Sequence, residues 1–320
     1  MEFEDEYVLG LLDYCARPIL EPNPVNNGYG LEVSISIPLR KSDILVGVVS
    51  QFLESKGIGH RFTRQNSDGI PERIIIQDNE DIRKIYEISS GKLIQIAEQI
   101  EYLNKLIHEF EGKNIAADDK LFLQIFKTWD KLNPDRKNKK YTIDFFKKEF
   151  GIRSIENPIN VEEIEYPESI STEYVAGAFD SSGNISLNIS KEPVNSTGFS
   201  MNFSAQYTIC NPDIRIKAHF IQFFQKHNFE PNITDNQDRL IIRFGNIDKI
   251  ELFLEKIGKH TTYLYDICDL LYCQLIPAFK DQYHTSKEGF YDIVRAYEEA
   301  APERKRAKYT TEYFQEEWNM

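Results

Sequence analysis

A chain of 320 residues with 41% hydrophobic and 28% charged residues has the composition of a soluble globular protein and the length for two ordinary domains. Its net charge of −13 argues against generic, charge-driven binding to nucleic acid, although the local field decides that question and not the total. No apolar run reaches the length of a membrane span, and the acidic start Met1-Glu2-Phe3-Glu4-Asp5-Glu6 does not read as a signal peptide, so a cytoplasmic protein is expected.

The chain opens on a short apolar helix near 6–14 that ends in Tyr7-Val8-Leu9-Gly10-Leu11-Leu12-Asp13. A strand follows in which Leu31, Val33, Ile35, Ile37 and Leu39 alternate with Glu32, Ser34, Ser36 and Pro38, and the proline marks an edge or a strand end. A helix is predicted at about 42–56 with Asp43 in its first turn, then strands at about 59–64 and 72–77, then a helix starting near Asn79 as N-cap. A helical extension of about 40 residues ends at Phe150. Gly151 to Thr172, with two prolines and five glutamates, reads as a linker.

The same series then starts again. Tyr174-Val175-Ala176-Gly177-Ala178-Phe179-Asp180 repeats the opening string, and Gly258-Lys259 repeats Gly91-Lys92, both at a spacing of 167. Lys308-Tyr309-Thr310 repeats Lys140-Tyr141-Thr142 at 168. Two strands alternate cleanly: Asn184, Ser186, Asn188 and Ser190 against Ile185, Leu187 and Ile189, then Asn202, Ser204, Gln206 and Thr208 against Met201, Phe203, Ala205 and Tyr207. A helix is predicted at about 212–227 with Pro212 as its first residue, strands at about 230–234 and 238–244, and a helix from Asn246. This gives an α+β fold of two pseudo-twofold-related αββαββα repeats with helical C-terminal extensions: 1–151 the first repeat, 152–172 an acidic linker, 173–320 the second. Five Asn-x-Ser/Thr triplets, at Asn184, Asn188, Asn195, Asn202 and Asn232, read as polar strand positions and not as sugar sites. Cys15, Cys210, Cys268 and Cys273 have no metal-ligand spacing and read as thiols in or near the core.

The two opening strings, the duplication and the alternating strands together resemble the LAGLIDADG homing endonucleases. The resemblance covers about 7–110 and 174–277. It implies that the two signature helices pack together through their small residues, Gly10, Ala176 and Gly177, and that a saddle of antiparallel strands lies along a DNA major groove. It also implies a divalent metal held by the second acid of each motif. Here those positions are Cys15 and Ser182, so neither supplies a carboxylate. Asp13 and Asp180 lie two residues back, about 200° round the helix. Lys92 and Lys259 match a lysine that the family often places just before the last core helix, near the scissile phosphate.

The polar strand faces are the candidate base-reading surface. Asn184, Ser186, Asn188, Asn202, Ser204, Gln206, Arg239 and Arg243 would meet one half-site, and Ser34, Ser36, Arg40, Arg61 and Arg73 the other, with a shortage of acids on both. The basic runs Arg136-Lys137-Asn138-Lys139-Lys140 and Arg304-Lys305-Arg306-Ala307-Lys308 occupy equivalent places and would grip flanking phosphates. The expected function is monomeric double-stranded DNA binding with impaired cleavage and no cofactor. The alternatives are a residual endonuclease that needs Mg2+, a maturase that binds structured RNA, and a protein scaffold.

Overall fold

The computed structural model describes residues 4–26, 28–39, 42–63, 73–110, 115–133, 141–154, 164–210, 212–236, 238–301 and 308–320. The chain forms two compact units. One comprises Leu12–Glu168; the other comprises Ser169–Met320 together with Met1–Leu11. Among the described residues no helix is long and apolar enough to cross a membrane.

In the first repeat the order is α1 (Asp5–Cys15), β1 (Arg17–Val25), β2 (Gly28–Pro38), α2 (Asp43–Ser55), β3 (Arg61–Phe62), β4 (Arg73–Ile76), α3 (Asn79–Ser89) and α4 (Ala97–Phe110), followed by α5 (Asp119–Leu132) and α6 (Ile143–Glu149). The second repeat runs α7 (Thr172–Ser182), β5 (Gly183–Lys191), β6 (Phe199–Cys210), α8 (Ile214–Lys226), β7 (Asn232–Asn236), β8 (Arg239–Phe244) and α9 (Ile247–Lys256). It continues with α10 (Tyr265–Leu270), α11 (Ile276–Lys280), α12 (Lys287–Ala300) and α13 (Thr311–Trp318). Each repeat therefore contains the predicted αββαββα series. Both sheets are antiparallel and four-stranded, in the matching orders β1-β2-β4-β3 and β5-β6-β8-β7.

Period-two patterning accounts for both sheets. Ile35, Ile37, Ile74 and Ile76 are buried on one face of the first, and Leu187, Phe203, Ala205, Tyr207, Leu240 and Ile242 on one face of the second. Pro38 ends β2, pairing with Arg73, and β2 is an inner strand. The edge position of β1 accommodates its three prolines, Pro18, Pro22 and Pro24, because an edge strand can spare donors.

Side chains set the helix starts. Ser42, Ser171, Asp213, Asn246 and Ser286 each accept a backbone N–H as N-caps of α2, α7, α8, α9 and α12. Two predicted starts move by one or two residues. Asp78 caps α3 where Asn79 was expected, because its carboxylate accepts from the Glu80 amide. Pro212 precedes the cap Asp213 and is not the first helical residue. The duplicated threonines act alike. Thr142 and Thr310 cap α6 and α13, accepting from the Phe145 and Tyr313 amides at 3.0 and 3.2 Å.

These two short helices press an aromatic side chain onto the outer end of each strand hairpin. Phe146 meets Tyr29 of β2 at 5.0 Å between ring centres, and Phe314 meets Phe199 of β6 at 5.1 Å. The helix expected around Cys268 and Cys273 is less regular than predicted. It loosens to a π turn over Leu271–Leu275, which ends two residues before Pro277, a residue with no amide hydrogen to continue the ladder. Cys268 is buried as expected, but Cys273 and Cys210 are exposed and Cys15 is half-buried.

Candidate nucleic-acid interface

The signature helices meet where the small residues predicted it. The first seven residues of α1 pack on α7 so closely that a methyl group added at Gly10 would overlap the Tyr174 carbonyl, and one at Gly177 the Tyr7 carbonyl. Helices reach the short end of the usual ~8–10 Å separation only when no Cβ stands between them.

The first acid of each motif is committed to structure. Asp13 Oδ2 accepts the amides of Ile94 and Gln95 at 2.9 and 3.0 Å, and its Oδ1 accepts that of Ile96 at 3.1 Å. Asp180 Oδ2 accepts from Thr262 and Tyr263 at 2.5 and 3.0 Å, and its Oδ1 from Leu264 at 2.9 Å. The Tyr7 hydroxyl also donates to Asp180 Oδ2, at 2.6 Å. Both carboxylates are fully buried. Each accepts the amides that lead into α4 or α10, which have no partner within the helix, where the helix dipole favours negative charge. Burial pushes the Asp180 carboxyl above its ordinary value, against the pull of the Tyr7 hydroxyl and three amides. Burial and the neighbouring Asp180 keep the Tyr7 phenol protonated far above its ordinary range.

These caps also place the two lysines. Lys92 is two residues before Ile94, which Asp13 holds, and Asp13 is two residues before Cys15. Lys259 stands three residues before Thr262, which Asp180 holds, and Asp180 is two residues before Ser182; the lysine sits in a 3-10 turn over Gly258–His260. Both lysines are exposed, and neither forms an ion pair among the described residues. Gly91 takes a φ of +68°, which lets the chain turn immediately before Lys92.

The open face of the β5–β8 sheet carries the predicted polar ladder. Asn184 pairs with Gln206, Ser186 with Ser204, Asn188 with Asn202 and Ser190 with Ser200; Gln206 in turn opposes Arg243. Side chains bridge across it: Asn188 Nδ2 donates to Asn202 Oδ1 at 3.2 Å and to Ser204 Oγ at 3.3 Å. Gln206 Nε2 donates to Thr208 Oγ1 at 3.0 Å, and Asn184 Nδ2 to Ser186 Oγ at 2.7 Å. Ser204 is buried within this network and is not open to a ligand, contrary to the expectation. Arg239 and Arg243 are exposed. Four of the five Asn-x-Ser/Thr asparagines are strand residues, as expected, and Asn195 lies in the turn between β5 and β6.

The first sheet departs from expectation. Ser34 and Ser36 are on the predicted face but buried: Ser36 lies between Arg17 of β1 and Ile75 of β4, and Ser34 opposes Ile19 of β1. Arg61 and Arg73 are exposed there. So are Arg17 and Glu21, which the sequence reading missed, and Glu32, which it placed in the alternation but not among the base-reading residues. The prolines of β1 masked its alternation, and the expected shortage of acids fails on this face. Arg40, Arg136, Lys137, Arg304 and Lys305 lie outside the described residues.

No family model and no curated protein matches the chain by sequence. Solved structures do match by shape. A mutant of I-SmaMI is 14% identical, with the match covering 95% of this chain and 100% of that one at a TM-score of 0.72. The I-LtrWI LAGLIDADG homing endonuclease bound to target DNA is 14% identical over 92% of this chain and 96% of that one, at 0.69. The fold is that of the LAGLIDADG homing endonucleases. I-SmaMI bound to an uncleaved DNA target in the presence of calcium ions matches equally, 14% identical over 92% of this chain and 98% of that one, at 0.69.

The chemistry of the LAGLIDADG motif diverges within this fold. A hard divalent cation needs oxygen ligands, carboxylates above all. At the two acid positions stand a half-buried thiol, pushed up to about 12 by burial, and a hydroxyl that donates to the Ala178 carbonyl at 2.8 Å. Asp13 and Asp180 point their oxygens into amides. Among the described residues no three His, Cys, Asp or Glu side chains group as a metal site. These residues do not fit a divalent metal.

Proposed function

We propose that this protein binds double-stranded DNA as a monomer, as a homing-endonuclease-like protein whose cleavage is impaired. The observation that carries the binding is the open face of the β5–β8 sheet. Among its described residues every charged group is an arginine and nearly every other is an amide or a hydroxyl. In an acidic chain such a face is a local exception, and its groups are those that pair with base edges in a major groove. The solved structures of like fold include proteins bound to DNA, which supports the same reading. Impaired cleavage rests on Cys15 and Ser182 and on the commitment of both aspartates to helix caps.

Selection from a random duplex pool tests the binding. A defined site is expected, with affinity falling at a log–log slope of about −0.9 per phosphate neutralised as salt rises. Replacing Arg304, Lys305, Arg306 and Lys308 by glutamine should flatten that slope and weaken all sequences alike. Replacing Gln206 by alanine should instead relax preference at particular base pairs, by about 1–3 kcal/mol. No binding to duplex DNA at low salt would overturn the proposal; retention of structured RNA in its place would favour a maturase.

The selected duplex then tests the chemistry. With Mg2+ and the unaltered protein, no cut product is expected. The double variant Cys15→Asp, Ser182→Asp restores carboxylates at both positions and should bind Mg2+ or Ca2+ by calorimetry where the parent does not. Efficient metal-dependent cutting by the parent would show that the substitutions do not impair it.

A further inference from the structure

The two sheets present different chemistry at the same register position. In β1 and β2 the third outward row opposes Glu21 to Glu32. In β5 and β6 the third outward row opposes Asn188 to Asn202. All four side chains are exposed. The amide pair is joined by a hydrogen bond of 3.2 Å, so it is held in place with spare donors and acceptors. The carboxylate pair sets like charges face to face, which destabilises a sheet, and Glu32 Oε1 accepts from Gln77 Nε2 at 3.1 Å.

We infer that the two sheets divide a DNA target unequally: the β5–β8 sheet supplies the base-specific hydrogen bonds, and the β1–β4 sheet adds little specificity and weakens binding over its half. This rests on the duplex-DNA reading above. An Asn or Gln amide donates and accepts together, and so pairs bidentately with adenine N6 and N7. A carboxylate only accepts, which limits it to the amino groups of cytosine and adenine, and it brings negative charge among phosphates. The rest of the first face offers little in compensation. Ser34 and Ser36 are buried, and Ile19 and Ile75, which occupy the adjoining rows, have no polar atoms. Its exposed donors are mainly the arginines Arg17, Arg61 and Arg73, which can hold a phosphate or a guanine edge but supply no amide that donates and accepts together as the Asn188–Asn202 row does.

The test is selection from a random duplex pool, run on the unaltered protein, on Asn188→Ala with Asn202→Ala, and on Glu21→Asn with Glu32→Asn. In the unaltered protein, sequence preference should be concentrated in one half of the selected site. The double alanine variant should lose preference in that half, by about 5- to 150-fold between the best and next base at the affected positions. The double asparagine variant should bind the pool on the order of fivefold more tightly at low salt and gain preference in the other half. Thermal melting checks that this variant folds, and relief of like-charge opposition should leave it at least as stable as the parent. Equal preference in both halves of the parent site, or an asparagine variant with unchanged affinity and preference, would overturn the inference and leave DNA binding intact. Failure of all three proteins to retain any duplex would overturn both.

Discussion

Gly177→Ala is expected to lose about 3 kcal/mol or more of stability, although alanine is the better helix former by about 1 kcal/mol. The added methyl group would overlap the Tyr7 carbonyl of the facing helix, and Gly10→Ala would overlap the Tyr174 carbonyl. Backbone cannot step aside as a side chain can, so the two helices must separate and open their contact. Gly47 in α2 provides the control, because a methyl group there meets nothing within 4 Å. Gly47→Ala should therefore stabilise the protein by about 1 kcal/mol. Urea denaturation of the three variants should give opposite signs for the same chemical change. A neutral Gly177→Ala would mean that the signature helices are not in backbone contact.

Asp180→Ala is expected to cost about 3–5 kcal/mol. It strips the acceptor from three successive amides and from the Tyr7 hydroxyl in a fully buried place, where no solvent replaces it. Asp180→Asn keeps the shape but turns one acceptor into a donor facing those amides, so it should recover only part of the loss. Calorimetric melting of both variants checks this order. If Asp180→Asn equals the parent, the carboxylate charge has no part in the cap. The same result would reopen the question of whether Asp180 is free to serve chemistry.

The residues themselves carried a large share of this fold. The repeated strings, 167 and 168 residues apart, identify two like units. Period-two alternation in β2, β5 and β6 fixes which face of each strand is apolar, because adjacent side chains must point to opposite sides. The small residues Gly10 and Gly177 anticipated a close helix contact, since only a missing Cβ allows one. That Cys15 and Ser182 stand two residues after Asp13 and Asp180, where the resemblance expects acids, is likewise read from the sequence alone.

Tertiary structure decided the rest. Asp13 and Asp180 bind amides more than 80 residues further along the chain, a distance over which no local pattern signals a hydrogen bond. Ser34 and Ser36 alternate as a polar face should, yet both are buried, Ser36 between β1 and β4 and Ser34 beside β1, and burial depends on neighbours and not on period. Strand β1 was hidden by prolines that only an edge position tolerates, and the edge is a property of the sheet. Glu21 and Glu32 become opposed only once the hairpin turn has set the register, as do Asn188 and Asn202. The order of residues alone is enough for the two repeats and for the absence of a carboxylate at Cys15 and Ser182. Pairing and packing determined which polar groups remain open to a partner, because exposure is a relation between distant parts of the chain.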